Sequence, residues 1–124
     1  MQTHGTWGRR MRLHQTDSLL VTVLFLDPNE RCSWHSHEHQ HNLFYVVSGK
    51  LVVVTEQRAG EVPKKLATEL GPKQSFLVEP HLPHEFQTRD EPTVVVEIAF
   101  VKYSVEDIER CRPGGPMTAD DRVE

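Results

Sequence analysis

The sequence predicts an all-β fold, an antiparallel sandwich or barrel carrying one short helix near its C-terminal end. Three observations lead there. About eight short runs are rich in β-branched and aromatic residues, turn signals separate them at close spacing, and only one stretch carries helix signals.

In chain order, residues 1–15 are polar and basic and read as a lead-in that packs through Trp7. Leu19 to Leu26 is an apolar strand stopped by Asp27-Pro28-Asn29-Glu30. Cys32 to His39 alternates in residue type and reads as a second strand. Asn42–Ser48 and Leu51–Glu56 flank Gly49 and read as a hairpin. Lys64 to Leu70 is a weaker, edge-like strand, and Gly71-Pro72-Lys73-Gln74 turns into a further strand over Ser75–Glu79. Pro80-His81-Leu82-Pro83 is a constrained bend that delivers His84 to Thr88, and Thr93 to Val101 is a long β-branched strand. Ser104 caps the single predicted helix, over 104–110, and Pro113-Gly114-Gly115-Pro116 ends it.

At 124 residues the chain is expected to form one domain, over 1–112 with a barrel core at about 19–101, and a loose charged tail over 113–124. Charged residues make up 26% and the formal net charge is −4, which argues against nucleic acid and anionic membrane as partners. No apolar run has the length of a bilayer span, and the first residues lack the apolar core of a signal peptide. Cys32 and Cys111 are far apart and suit a reducing compartment, so the cytoplasm is the expected location.

Trp34-His35-Ser36-His37-Glu38-His39-Gln40-His41-Asn42 holds four of the eight histidines. Residues two apart on a strand share a face, about 6.5–7 Å apart, so His35 and His37 can converge on one ion. In an extended chain His41 lies too far along to join them directly. A further ligand must come from a distant strand, and His84, held behind Pro83, is the natural candidate. His39 reads as a solvated loop residue and His81 as a turn or rim residue. His37-Glu38-His39-Gln40-His41 also matches H-E-x-x-H, but that motif requires a helix to bring positions i and i+4 together, and β-type flanks exclude one here.

The spacing His35-x-His37, four residues, Asn42, six residues, Gly49 resembles the first motif of the cupin superfamily, in which a glutamate usually occupies the Asn42 position. Gly71 to Phe86, with Pro80 four residues before His84, resembles the second motif. The resemblance implies a double-stranded β-helix, or jelly-roll barrel, and one divalent transition metal held by His35, His37 and His84. Asn42 and His41 are candidates for a fourth ligand or a supporting position. Three imidazoles suit zinc, iron, nickel or copper, and manganese belongs to the same range of candidates. Thr6-Trp7-Gly8 and Cys32-Ser33-Trp34-His35-Ser36-His37 are also similar to the cupin domains related to mannose-6-phosphate isomerase, which points to a sugar-like ligand.

Two functions follow as expectations. One is a metalloenzyme acting on a small molecule in the barrel, either an oxygenase or a sugar-type isomerase or epimerase. The other is a non-catalytic binding module with a structural metal, favoured by the lack of an evident general base beside the histidines. Family habit, with edge-like strands over 19–26 and 93–101, suggests a homodimer.

Overall fold

The computed structural model describes residues 2–5, 7–58, 60, 62–101 and 117–121. Nine strands form two antiparallel sheets: β1 (Gln2–Gly5), β2 (Gly8–Gln15), β3 (Leu19–Leu26), β4 (Gln40–Ser48), β5 (Leu51–Arg58), β6 (Pro63–Leu70), β7 (Ser75–Val78), β8 (His84–Thr88) and β9 (Thr93–Val101). The larger sheet has the order β1-β2-β3-β9-β4-β7 and the smaller the order β6-β5-β8. Apolar side chains from the facing sides, including Leu24, Leu26, Phe44, Val46, Leu51, Val53, Val78, Phe86 and Val95, fill the space between them.

Alternation decides which side chains face inward. In β3 the buried positions are Thr22, Leu24 and Leu26; in β4 they are Asn42, Phe44 and Val46; in β9 they include Thr93, Val95 and Ala99. Glu97 shares the inward register of Val95 and Ala99.

Four sequence expectations need correction. The polar lead-in is a strand pair, β1 with β2, and β2 continues onto β3. It escaped notice because all of β2 after Gly8 is exposed and so carries no apolar period. The run Cys32–His39 is not a continuous strand: it meets β8 through the isolated bridges Arg31↔Gln87 and His35↔His84 and a Cys32 N–H bond to Phe86 O at 3.1 Å. Between them the Phe86 N–H donates to Cys32 Sγ at 3.1 Å. A side chain thus takes a bond that a ladder would give to a carbonyl.

The apolar runs around Gly49 are not a hairpin either. β4 and β5 belong to different sheets, and the chain turns a corner between them. The β4–β9 register shifts between Val46 and Ser48, and Gly49 follows at φ 82°. A Cβ there would lie 2.5 Å from Pro92 O and from Thr93 Oγ1. The buried Thr93 hydroxyl donates to Lys50 O and accepts from Lys50 N, both at 3.1 Å, which pins the corner to the start of β9. Finally, β3 and β9 are interior strands, so they offer no edge for self-pairing.

The predicted edge strand 64–70 is confirmed as β6 at the margin of the smaller sheet. The predicted helix over 104–110 lies outside the described residues, as do Tyr103 and Cys111. Within the predicted tail, Ala119–Asp121 forms a short 3-10 turn. No helix among the described residues is long and apolar enough to cross a membrane.

Gly49→Ala is expected to cost at least about 3 kcal/mol in urea denaturation, since strain at positive φ adds to the backbone clash. Gly60→Ala, also at positive φ but with nothing within 4 Å of the new Cβ, isolates the conformational part and should cost about 1 kcal/mol.

Candidate metal centre

The site is assembled by backbone pairing between two segments remote in sequence. His35 N–H donates to His84 O at 3.1 Å and His84 N–H donates to His35 O at 2.8 Å. This reciprocal pair sets the two imidazoles side by side, ring centroids 4.5 Å apart. His37 follows on the same face, its ring 4.9 Å from that of His35 and 5.5 Å from that of His84. The bend at Pro80-His81 anchors it: the His81 N–H donates to His37 O at 2.6 Å, with His81 itself at φ 67°.

The ring nitrogens are oriented for a cation. His84 Nδ1–H donates to Leu82 O at 2.8 Å, and His35 Nδ1–H donates to Ser33 O at 2.7 Å. A carbonyl only accepts, so each Nδ1 carries the proton and each Nε2 keeps its lone pair. His37 Nε2 and His84 Nε2 are buried without a hydrogen-bond partner, which costs about 1–3 kcal/mol for each group in the absence of a ligand. Burial lowers the pKa of His37, with the neighbouring His35 adding to the effect. Burial likewise lowers that of His84, against its bond to Leu82. Both rings are therefore neutral at physiological pH, the form that binds metal. One ligand atom from each of the three histidines lies within 4.8 Å of the others. An all-imidazole set of this kind fits a divalent transition ion.

The other candidates are placed differently. His41 and Asn42 are consecutive on β4 and so point to opposite faces of the sheet. His41 stacks on Phe100, ring centroids 5.1 Å apart, with Nε2 3.4 Å from a Glu79 carboxylate oxygen. The structure does not bring it to the three-histidine cluster. Asn42 faces inward and is 3% exposed, and its Oδ1 accepts from Gln40 Nε2 at 2.9 Å. His39 is exposed, 3.8 Å from Glu38.

A cavity of about 290 Å³ opens beside the histidines. His35, His37, Asn42, Cys32, Arg10 and Glu97 all line it. Glu97 is the residue that sequence reasoning missed. Burial raises its carboxyl pKa, while a hydrogen bond from the Asn42 side chain and the charges of His35 and Arg10 pull the other way. A single charged residue in an otherwise apolar strand is the signal that could have found it, once Val95 and Ala99 are known to point inward. Cys32 is pushed up to about 11 by burial, so its thiol stays protonated.

Elemental analysis of protein purified without chelator or nickel resin should find about one transition ion per chain. His84→Ala and His37→Ala should each weaken binding by at least roughly 100-fold, beyond the loss seen for outer hydrogen-bonding partners. His41→Ala should retain the metal. With the pKa values of His37 and His84 held by burial below the ordinary histidine value of about 6.5, occupancy should stay flat as pH falls to that value. It should decline only at more acid pH, where the folded-state rings protonate; a decline already complete at 6.5 would contradict the assignment.

Comparison with known proteins agrees with the fold and the motif spacing. The cupin-domain family model matches residues 22–99. Comparison with curated protein sequences gave no significant match. Among solved structures, KdgF from Halomonas sp. is similar with a TM-score of 0.64 at 20% identity, over 77% of this chain and 79% of that one. An RmlC-like cupin from Shewanella frigidimarina gives a TM-score of 0.62 at 20% identity, over 81% and 80% of the two chains. The capsular polysaccharide assembling protein CapF from Staphylococcus aureus gives 0.69 at 16% identity, over 86% of this chain but 30% of that one. At these identities the likenesses speak for the fold. With its family model spanning most of the barrel and a three-histidine cluster at the motif positions, the chain belongs to the cupin domain family.

Proposed function

We propose that this protein is a metal-dependent enzyme acting on a small, sugar-like carbonyl substrate, and that it moves a proton between neighbouring carbons of that substrate. The observation that carries the reading is the Glu97 carboxylate in the wall of the same cavity as His35 and His37. His35, His37 and His84 would hold one divalent metal, which when bound supplies Lewis acidity toward a substrate oxygen.

The remaining roles belong to the chain itself. Glu97 is a carboxylate with its pKa raised by burial, the property that suits a proton acceptor working near neutral pH. Its bond from Asn42 fixes its orientation, and Gln40 in turn holds the Asn42 oxygen. Proton removal from the carbon beside the carbonyl leaves the electron pair delocalised onto the substrate oxygen. Return of the same proton from Glu97 to the former carbonyl carbon, while the proton of the neighbouring hydroxyl passes to the former carbonyl oxygen, completes an aldose–ketose type isomerisation with no external oxidant. One carboxylate on one wall suits return to the same face. An epimerase would call for a second base opposite, and Cys32, with its thiol kept protonated, does not supply one. Arg10 lines the same cavity, where its charge acts on the Glu97 carboxyl. Trp7, Leu24 and Phe86 give the cavity an apolar side that limits water. A cytoplasmic location, where phosphorylated sugars are available, accompanies this reading.

The test is deuterium exchange. Metal-loaded protein incubated in heavy water with a panel of aldoses, ketoses and their phosphates should incorporate solvent deuterium into one substrate. Glu97→Gln should lower that exchange by roughly 10²–10⁴-fold with metal content unchanged. Thermal stabilisation by a sugar without exchange would instead favour the binding module. Metal-dependent oxygen uptake would favour an oxygenase.

A further inference from the structure

The space beside the three histidines continues past Asn42. A second recess, of about 180 Å³, adjoins the metal cavity at the ends of β3, β4 and β9, and Leu20, Gln40 and Ala99 line both. Strand register places the junction. Leu20 pairs with Ala99 and Ala99 with Asn42, so these three form one inward row. Gln40 stands two residues before Asn42 and therefore on the same face, one step nearer the strand ends, where it pairs with Val101. It is itself held there, its Nε2 donating to Asn42 Oδ1 at 2.9 Å.

The far wall of the recess is the turn between β2 and β3. Gln15, Thr16, Asp17 and Ser18 supply it, all exposed and all able to hydrogen-bond through their side chains. Bonds within the turn fix its shape: the Thr16 N–H donates to Leu19 O at 2.7 Å, and the Ser18 N–H donates to the Thr16 hydroxyl oxygen at 3.2 Å. The Val101 N–H donates to Ser18 O at 3.0 Å and ties the turn to β9.

We propose that this recess is a second subsite and that the substrate is a reducing disaccharide. The carbonyl-bearing unit lies beside the histidines, and the glycosidically linked unit lies between Gln40 and the turn 15–18. The inference rests on the sugar-like reading of the metal cavity given above, and three features of the recess extend that reading. Separately, the two spaces of about 290 and 180 Å³ fall below the roughly 300–1,000 Å³ typical of small-molecule sites; joined, they enter that range. The hydrogen-bonding turn faces the apolar Leu20 and Ala99, which matches a sugar ring with hydroxyls at its edge and C–H groups on its face. Among the described residues lining the recess, Asp17 alone is charged. Its carboxylate accepts hydroxyl protons and repels an anion, so the second unit is neutral.

Isothermal titration calorimetry on the metal-loaded full chain tests this separately from the chemistry, with maltose, cellobiose and lactose against glucose and galactose. At least one disaccharide should bind roughly 10–100-fold tighter than its reducing monosaccharide, the worth of about two added hydrogen bonds. Thr16→Trp, which fills the recess from its exposed wall, should bring that ratio to about 1 with metal content retained. An aldobiouronic acid, carrying a carboxylate on its second unit, should bind roughly 5-fold more weakly than its neutral counterpart, and Asp17→Asn should abolish the difference. Monosaccharides that exchange deuterium while disaccharides bind no tighter would overturn the subsite and leave the isomerisation standing. Disaccharide preference without deuterium exchange would support the subsite and sink the isomerisation. A preference that survives Thr16→Trp, or no binding of any probe, would overturn the proposal.

Discussion

The site depends on a single backbone pairing, that of residue 35 with residue 84. The segment around His35 makes few regular ladder bonds, yet its reciprocal bonds to His84 fix two imidazoles side by side and leave His37 one repeat further on the same face. The two flanking constraints serve that pairing. Cys32 Sγ takes the Phe86 N–H and so lets the segment run beside β8 without becoming a strand. The His81 N–H holds His37 O from the opposite side. A histidine pair two residues apart is common enough in sequences; only a partner segment in this register makes it a three-point site. The barrel's remaining architecture, with its corner at Gly49 and the bend at Pro80, brings β8 to that position.

The loss of a carboxylate at position 42 changes the electrostatics less than the motif alone suggests. A glutamate on β4 would place its charge at the metal. In this chain Asn42 is neutral, but it is bonded to Glu97 on the adjacent strand, and Glu97 lies near enough to His35 for their charges to interact. The carboxyl stands one strand over, in the cavity wall, rather than at position 42. Imidazole ligands bring no negative charge of their own, so a bound ion would keep its charge beside the Glu97 carboxyl. The binding-module alternative drew its strength from the missing base, and the cavity wall holds a carboxyl, that of Glu97.

The sequence disclosed the site better than its surroundings, for physical reasons. Ligand spacing is a local property: His35-x-His37 on extended backbone must put both rings on one side, and Pro83 before His84 restricts that approach. The features that escaped depend on contacts distant in the chain. Ser48-Gly49-Lys50 has the composition of a hairpin turn, and only the Thr93 hydroxyl on Lys50 shows that the chain changes sheets there. Glu97 resembles a solvent-facing charge until the pairing of β9 with β3 and β4 fixes which residues point inward. β2 is polar because it lies toward the margin of the sheet with its side chains in water, so hydrophobic patterning had nothing to register. His41 looked relevant through nearness in sequence, whereas strand alternation turns it away from its neighbour Asn42.

That alternation joins the two faces of the larger sheet. β4 and β9 carry Asn42 and Glu97 inward, while the residues beside them, Leu43 and Ile98, are registered partners on the outer face. A strand has no freedom to shift one face without the other, because a slip of one residue would exchange the faces entirely. Packing that immobilises Leu43 and Ile98 from outside therefore also restrains the backbone from which Asn42 and Glu97 project. The cavity wall formed by these two strands is then as rigid as the packing around them. A proton acceptor must keep its distance to a substrate carbon within a few tenths of an ångström to be effective. In a small barrel the paired register of β4 and β9, shared by both faces, supplies that restraint.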